Sequence, residues 1–327
     1  MMMNLFSQRK LFICLCLLII AFFLITHVND SSKEKIDWLF FHHQKPIYQN
    51  NFSFTMTPHL KCKDEIPSLV ILVATRPKEV DARQAIRLTW GQMQTWLGKK
   101  VITLFLLGKD EENHIHVRQL IEEENVFGDI ISQDFIDSYD NLTLKTKMAF
   151  QWISEFCPKV EYVMKADADV FINIKYLINF LLKINKNISS DFFTGYPLIN
   201  TKPKRALFTK PIFKFEIPKS DYPFSTYPPY CSGFGYVFSG ELALKIYKLM
   251  GHIKPIRFED AYVGICLKIL GVNLYIPEKK VFFLHKLKFD SCLFSRMIAV
   301  HDVTPHQLLS YWKRLKNVDS TTCLSET

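Results

Sequence analysis

Nowhere in its 327 residues does this chain contain an internal repeat, a low-complexity tract or a Cys-x-x-Cys pair. Without repeats to break it up, a sequence that is 48% hydrophobic can bury one large core or two small ones, and one domain of catalytic size is expected. Basic residues are not gathered into an arm or an arginine-rich helix either, although Lys+Arg (41) outnumber Asp+Glu (32). That dispersion speaks against nucleic acid as a partner; an anionic small molecule or an anionic membrane surface accounts for the same excess.

Charge is missing altogether from residues 11–28, an apolar run interrupted only by Cys14, Cys16, Thr26 and His27. At ~1.5 Å per residue it is long enough to cross a bilayer. Small residues are missing from its end as well. Phe22, Phe23, Leu24 and Ile25 stand where a cleavage site would be, so an uncleaved anchor is expected rather than a signal peptide. Arg9 and Lys10 hold residues 1–10 on the cytosolic side and place everything after about Asp30 in a lumen. Two features agree with a lumenal body. Asn51-Phe-Ser, Asn141-Leu-Thr and Asn187-Ile-Ser are glycosylation acceptors, and six cysteines outside the anchor, Cys62, Cys157, Cys231, Cys266, Cys292 and Cys323, suggest disulfides rather than zinc. Residues 29–67 are mixed and aromatic without sustained periodicity. They read as a stem, or as aromatics lying on the membrane interface or on the body, and the folded domain is expected to run from 68 to 327.

From residue 68 strands and helices alternate. Apolar runs at 68–74 and 101–107 have the type of buried parallel strands, and helices are expected at about 77–90, 110–124 and 142–156. The pattern predicts an α/β fold, in which ligands gather beyond the carboxyl ends of strands. Arg83 and Arg87, four apart on the first helix, either reach an anion from one face or form a solvated basic stripe.

The most informative stretch is Glu161-Tyr-Val-Met-Lys-Ala-Asp167-Ala-Asp169-Val-Phe-Ile-Asn173. Strand alternation would point Asp167 and Asp169 to the same side, where they could share a hard divalent cation that keeps positions for diphosphate oxygens. The plainer reading has one of them capping a helix from about residue 174 and the other solvated. A long basic segment follows at 200–229, carrying Lys202, Lys204, Arg205, Lys210, Lys214 and Lys219, and is expected to be a mobile flap. In Tyr230-Cys-Ser232-Gly233-Phe-Gly-Tyr236 two glycines permit close backbone approach beside aromatic faces that stack on sugars, or else mark a bulge in the core. Glu259 and Asp260 open a helix, where carboxylates are favoured whether or not they catalyse, and His301 ends a strand as a ligand or as an ordinary histidine.

Taken together, Ala82-Arg83-Gln-Ala-Ile-Arg87-Leu-Thr-Trp-Gly91, Asn141-Leu-Thr-Leu-Lys145-Thr146, Lys165-Ala-Asp167-Ala-Asp169-Val-Phe, Tyr230-Cys-Ser-Gly and Glu259-Asp260-Ala-Tyr-Val-Gly264 resemble, in order, the motifs of the β-1,3-glycosyltransferases. The likeness spans about residues 37–323. Residues 193–199 and 251–256 bring it nearest to the branch that moves N-acetylgalactosamine from UDP-GalNAc onto the terminal galactose of the glycolipid globotriaosylceramide. The resemblance implies a type II Golgi membrane enzyme with a GT-A (Rossmann-like) fold, a UDP-sugar donor, Mn²⁺ and inversion at the anomeric carbon. It makes Asp167, Asp169 and His301 the metal ligands and Asp260 the catalytic base. Arg83, Arg87, Lys145, Lys165 and Asp167 would line the nucleotide, with Tyr230, Ser232, Gly233 and Glu259 on the acceptor side. By resemblance and position the disulfides would be Cys157–Cys231, Cys266–Cys292 and Cys62–Cys323. Ala168 and Ala261 depart from the commoner Asp and Val. Nothing in the metal and base motifs reads the donor's 2-substituent, so UDP-galactose and UDP-N-acetylglucosamine stay open as donors, with glycolipid or glycoprotein acceptors. A silent lectin-like Golgi protein would not need Asp167, Asp169, Asp260 and His301 together.

Overall fold

The structure, a computed structural model, describes residues 38–43, 45–46, 51–63, 65–110, 114–184, 189–205 and 214–317. Two compact units divide the chain, Met1–Phe40 and Phe41–Thr327, and nearly all the described residues belong to the second. The expected anchor at 11–28 lies outside them. Among the described residues no helix is long and apolar enough to cross a membrane.

In chain order the second unit runs β1 (Phe54–Met56), β2 (Leu69–Ala74), α1 (Val80–Arg87), β3 (Gln94–Trp96), β4 (Lys99–Lys109), α2 (His114–Phe127), β5 (Ile130–Ile136) and α3 (Leu142–Phe156). Next come β6 (Tyr162–Asp167), β7 (Val170–Ile172), α4 (Ile174–Leu181), β8 (Phe193–Leu198), β9 (Lys204–Arg205), β10 (Glu216–Ile217), β11 (Tyr230–Ser239) and α5 (Gly240–Met250). The chain closes with α6 (Glu259–Leu270), β12 (Phe282–Phe283), α7 (Ser291–Ser295), β13 (Ala299–His301) and α8 (Pro305–Lys316).

The main sheet has the order β1-β5-β4-β2-β6-β11-β8, with β3 also paired to β4. β5, β4, β2 and β6 are parallel, while β1, β11 and β8 run antiparallel to their inner neighbours. This mixed α/β order follows from the sequence: β2 is apolar throughout, the middle of β4 is apolar apart from Thr103, and both are buried on both faces, as a strand covered by helices on each side must be. Trp90, fully buried just after α1, donates its indole N–H to Val170 O and ties that helix region to the strand after the acidic pair. A second sheet, β12-β13-β7, lies beside the first.

The folded body reaches N-terminal of Ser68. β1 extends the main sheet, Phe41 stacks on Tyr222, His42 bridges to Ile253, and Cys62 is joined to Cys157. Of the readings open for the aromatic stem residues, Phe41, Phe52 and Phe54 follow the one in which they pack on the body.

The disulfide expectation is overturned. Cys62 pairs with Cys157, and Cys231 and Cys266 are buried free thiols, which removes all three expected pairs. Cys292 is disulfide-bonded, and Cys323 lies outside the described residues. The reason is topological: β11 runs antiparallel to β6 and carries Cys231 past the carboxyl end of that strand, whereas Cys157 lies before its start and meets Cys62 ahead of β2.

Candidate active site

The expectation that Asp167 and Asp169 share the face of one continuous strand is replaced by a turn. Asp167 is the last residue of β6, Ala168 and Asp169 make the turn, and β7 then leaves for the second sheet. Neither aspartate caps the next helix, because Asn173 does so by accepting from Tyr176 N. Val303 N donates to Asp169 O, which locks the turn to the residue after His301 and Asp302. β13 brings His301 up against Val170, so Asp167, Asp169 and His301 place one ligand atom each within 4.8 Å of one another.

The tautomer of His301 suits a ligand. Its Nδ1 faces Leu284 O at 3.2 Å and donates there, leaving Nε2 turned to Asp169 Oδ1 at 3.4 Å. Its ring stacks on Phe234. The Asp169 contact, against burial, raises the imidazole, and although burial alone would raise Asp169, the histidine lowers it. Two carboxylates and an imidazole are a donor set that fits a divalent cation.

Lys165 stands one alternation behind Asp167 on β6. Its ammonium lies 2.6 Å from Asp167 Oδ1 and 3.1 Å from Glu259 Oε1, and it also donates to Gly233 O. Burial alone would lower this lysine, but the two carboxylates raise it, so it stays charged. Glu259 is 5% exposed, and its Oε2 accepts from Thr146 Oγ1 and Tyr236 OH. Every oxygen it has is occupied, so its work is to hold Lys165 and β11 in place. A Cβ on Gly233 would meet Glu259 Oε1 at 2.6 Å, so only glycine lets β11 pass this close.

Asp260, the next residue on α6, is different. Among the described residues only backbone N–H groups bond to it, Ala261 N on Oδ1 at 2.8 Å and Gly233 N on Oδ2 at 3.2 Å. Burial, then the charge of Glu259, pushes its carboxyl up to about 7, against the pull of those amides and of Lys165. A partly exposed carboxylate of that basicity, across Gly233 from the acidic pair, can accept a proton near neutral pH.

A profile of the Galactosyltransferase family matches residues 81–278. The rat UDP-GalNAc:beta-1,3-N-acetylgalactosaminyltransferase 1 is 47% identical over 312 residues, covering 94% of this chain and 91% of that protein. This chain belongs to the galactosyltransferase family. The human protein of the same name is 44% identical over 94% of this chain and 93% of its own length, and human beta-1,3-galactosyltransferase 5 is 38% identical over 97% and 98%. A galactosyltransferase solved with donor and acceptor sugar analogues covers 77% of this chain and 98% of its own at 9% identity, with a TM-score of 0.38 too low to build on.

In this member of the family the expected nucleotide contacts divide. Lys165 stands in the site, and Lys145 lies at the same sheet edge, its ammonium bonded to Thr75 O and to Asp137 at 2.8 Å. Arg83 and Arg87 do not reach out as expected. Arg83, fully buried, makes two bonds to Glu123 and donates to Arg76 O and Pro77 O, so it braces the loop after β2. Arg87 grips Asp129 with two bonds of 2.8 Å just before β5, three strands across the sheet from the β6 strand that carries Asp167. Both guanidiniums are neutralised by carboxylates some forty residues away.

Ser232 and Gly233 fall in the β11 irregularity between Cys231 and Tyr236, with Tyr230 just before it, and Gly233 borders Asp260. The sequence reading missed Thr146 and Tyr236 as partners of Glu259, and Leu284 and Phe234 as supports of His301. Thr146 had a signal, sitting directly after Lys145 in a motif already marked. Of the glycosylation acceptors Asn51 is exposed, whereas Asn141 donates to Ile136 O and Thr143 to Ile256 O, which ties that sequon into the fold. Asn187 lies outside the described residues. In the basic segment β9 pairs with β10, and Arg205 donates to Tyr222 O and Phe224 O.

Proposed function

We propose that this galactosyltransferase-family chain is a type II Golgi membrane enzyme of GT-A fold. It moves N-acetylgalactosamine from UDP-GalNAc in β-1,3 linkage onto the terminal galactose of globotriaosylceramide, with inversion and with Mn²⁺. The observation that carries the reading is the pairing of a divalent-cation donor set, Asp167, Asp169 and His301, with a separate, basic carboxylate, Asp260, across Gly233. Donor and linkage rest on the names of relatives 44–47% identical over 94% of the chain. The acceptor rests on the likeness of residues 193–199 and 251–256 to that branch. Golgi residence and the anchor rest on residues 9–28.

Asp167, Asp169 and His301 would hold the cation. When bound, it supplies positive charge to the departing diphosphate. Asp260 takes the proton of the acceptor 3-hydroxyl as that oxygen attacks the anomeric carbon from the face opposite UDP, so a single displacement turns an α-linked donor into a β product. The amides of Gly233 and Ala261 aim the carboxylate, and no covalent nucleophile is required. Lys165 keeps Asp167 charge-balanced. Lys145 marks the nucleotide side of the same edge.

Transfer of galactose is the second reading, favoured by the 38% identity over nearly the whole length of human beta-1,3-galactosyltransferase 5. The two are separated by offering the full-length chain, in detergent with Mn²⁺, each UDP-sugar in turn with a panel of galactose-terminated acceptors. Product from UDP-GalNAc on the globo-series glycolipid is expected. Product from UDP-galactose alone would establish the second reading instead.

A further inference from the structure

The segment that leads into the base belongs to a rim of basic and aromatic side chains that the reaction itself does not use. Arg257 and Phe258 run directly into Glu259 and Asp260, the first turn of α6. Arg257 donates to Glu216 O in β10, pairs with Asp140, and places its guanidinium 6.0 Å from the ring centroid of Tyr139. Tyr139 follows the carboxyl end of β5, the edge of the parallel strands at which β6 ends in Asp167. Lys214 lies 4.5 Å over the same ring. Next to it Phe215 is 56% exposed, with the ammoniums of Lys214 and Lys204 at 5.5 and 5.6 Å from its centroid. Both lysines are exposed, and among the described residues neither forms an ion pair.

The N-terminal segment joins the body beside this rim. Phe41 stacks on Tyr222 with centroids 5.5 Å apart, and its carbonyl accepts from Lys254 N, three residues before Arg257. Arg205, the residue after Lys204 in β9, donates to Tyr222 O, so the strand that carries Lys204 and the ring that receives Phe41 are bonded to each other. Between residue 28, where the apolar run ends, and Phe41 the chain can span no more than about 45 Å even fully extended.

A lone exposed phenylalanine is ordinary on a protein surface. One held between two unpaired lysines is amphipathic, because the lysine stems extend its apolar area while their ammoniums stay outward. Resting on the anchor and glycolipid reading above, we propose that this rim lies on the phospholipid surface from which the acceptor projects. Lys204 and Lys214 meet headgroup phosphates, and Phe215 enters the layer beneath them. The tether agrees in length: about 45 Å is less than the roughly 50 Å across a compact body of this size, too short to lead around it and present the opposite side. Asp260 then faces sugars that stand on the bilayer, and a lipid-borne acceptor is favoured over the same sugar in solution.

The test places the full-length chain, through its own apolar segment, in phosphatidylcholine vesicles with UDP-GalNAc and Mn²⁺ outside. The globo-series acceptor is offered either in the same bilayer or as its free oligosaccharide in solution. Wild type is compared with Phe215→Ser and with the double variant Lys204→Gln, Lys214→Gln. For the bilayer acceptor kcat/KM should fall roughly tenfold in each, while KM for the free oligosaccharide and for UDP-GalNAc stays within about twofold. Phe215→Trp should keep the wild-type rate, and vesicles with brominated acyl chains should quench its added fluorescence beyond any quenching of wild type. Equal loss on both forms of the acceptor would make the rim part of the packing of the site and overturn the proposal. Unchanged transfer to the bilayer acceptor in every variant, the result expected of a rim that serves another protein, overturns it too, as does an added tryptophan that bromine does not quench. If Phe215→Ser fails to fold, the lysine pair and Phe215→Trp decide. A wild-type chain that glycosylates neither form ends the glycolipid reading, and the quenching, which needs no transfer, still decides the membrane face.

Discussion

His301 Nδ1 donates to Leu284 O at 3.2 Å, and this one bond turns Nε2 toward Asp169, 3.4 Å away. The ligand set is thereby held in shape by a backbone carbonyl 17 residues distant. Asp169→Asn should leave the protein folded, since the side chain is partly exposed and Asn keeps its shape, yet transfer should fall by roughly a hundredfold or more. EDTA should abolish turnover and Mn²⁺ restore it. Cation-dependent thermal shifts on wild type and Asp169→Asn check this without any assay of transfer, and full turnover in EDTA would remove the metal from the mechanism.

Asp260→Asn separates base from helix cap. Asn can accept from only one of the two amides that bond Asp260, so the change should cost about 1 kcal/mol of stability, while turnover drops roughly a hundredfold with donor binding little altered. Titration gives a second check. With its carboxyl pushed up to about 7, activity should fall as the pH drops below 7 and the base is protonated. For stability the sign is the opposite of an ordinary ion-paired aspartate. A folded value above the unfolded one favours the fold at low pH, and that stabilisation is lost as the pH rises through about 7. The stability deficit of Asp260→Asn relative to wild type should therefore be smaller at pH 8 than at pH 5, read by melting curves across pH.

Glu259→Gln should behave in reverse. Its carboxylate is buried among Lys165, Thr146 and Tyr236, and removing the charge takes away one of the two carboxylates that bond the ammonium, leaving Asp167. A loss of about 3 kcal/mol is expected from unbalancing a buried pair, measured by denaturant unfolding. A Gln variant as stable as wild type would mean that Tyr236 and Thr146 do the holding.

The Cys62–Cys157 bond closes 95 residues around the parallel core. Its removal by Cys62→Ser should cost roughly 2–4 kcal/mol. Non-reduced peptide mapping should recover that pair, with Cys231 and Cys266 alkylated only after unfolding because both thiols are buried. Recovery of a Cys157–Cys231 peptide would contradict the structure.

What the sequence determined by itself is local. The bounds of α3, the buried strand β2 and the placement of Asp167 at the carboxyl end of β6 were all legible, because periodicity and apolar runs act over a few residues. The acidic pair, Asp260 and His301 were marked by residue type and motif order, and the tertiary structure gathered all four at one sheet edge. Only the tertiary structure decided which charges are free and which are spent. Arg83 and Arg87 looked like anion contacts until Glu123 and Asp129 arrived from the other side of β4. Glu259 and Asp260 are adjacent carboxylates in one first turn, indistinguishable by propensity, yet packing against Lys165, Tyr236 and Thr146 closes one and leaves the other to two backbone amides. The cysteine partners were equally hidden, since a disulfide depends on where two distant segments come to lie and not on their spacing along the chain.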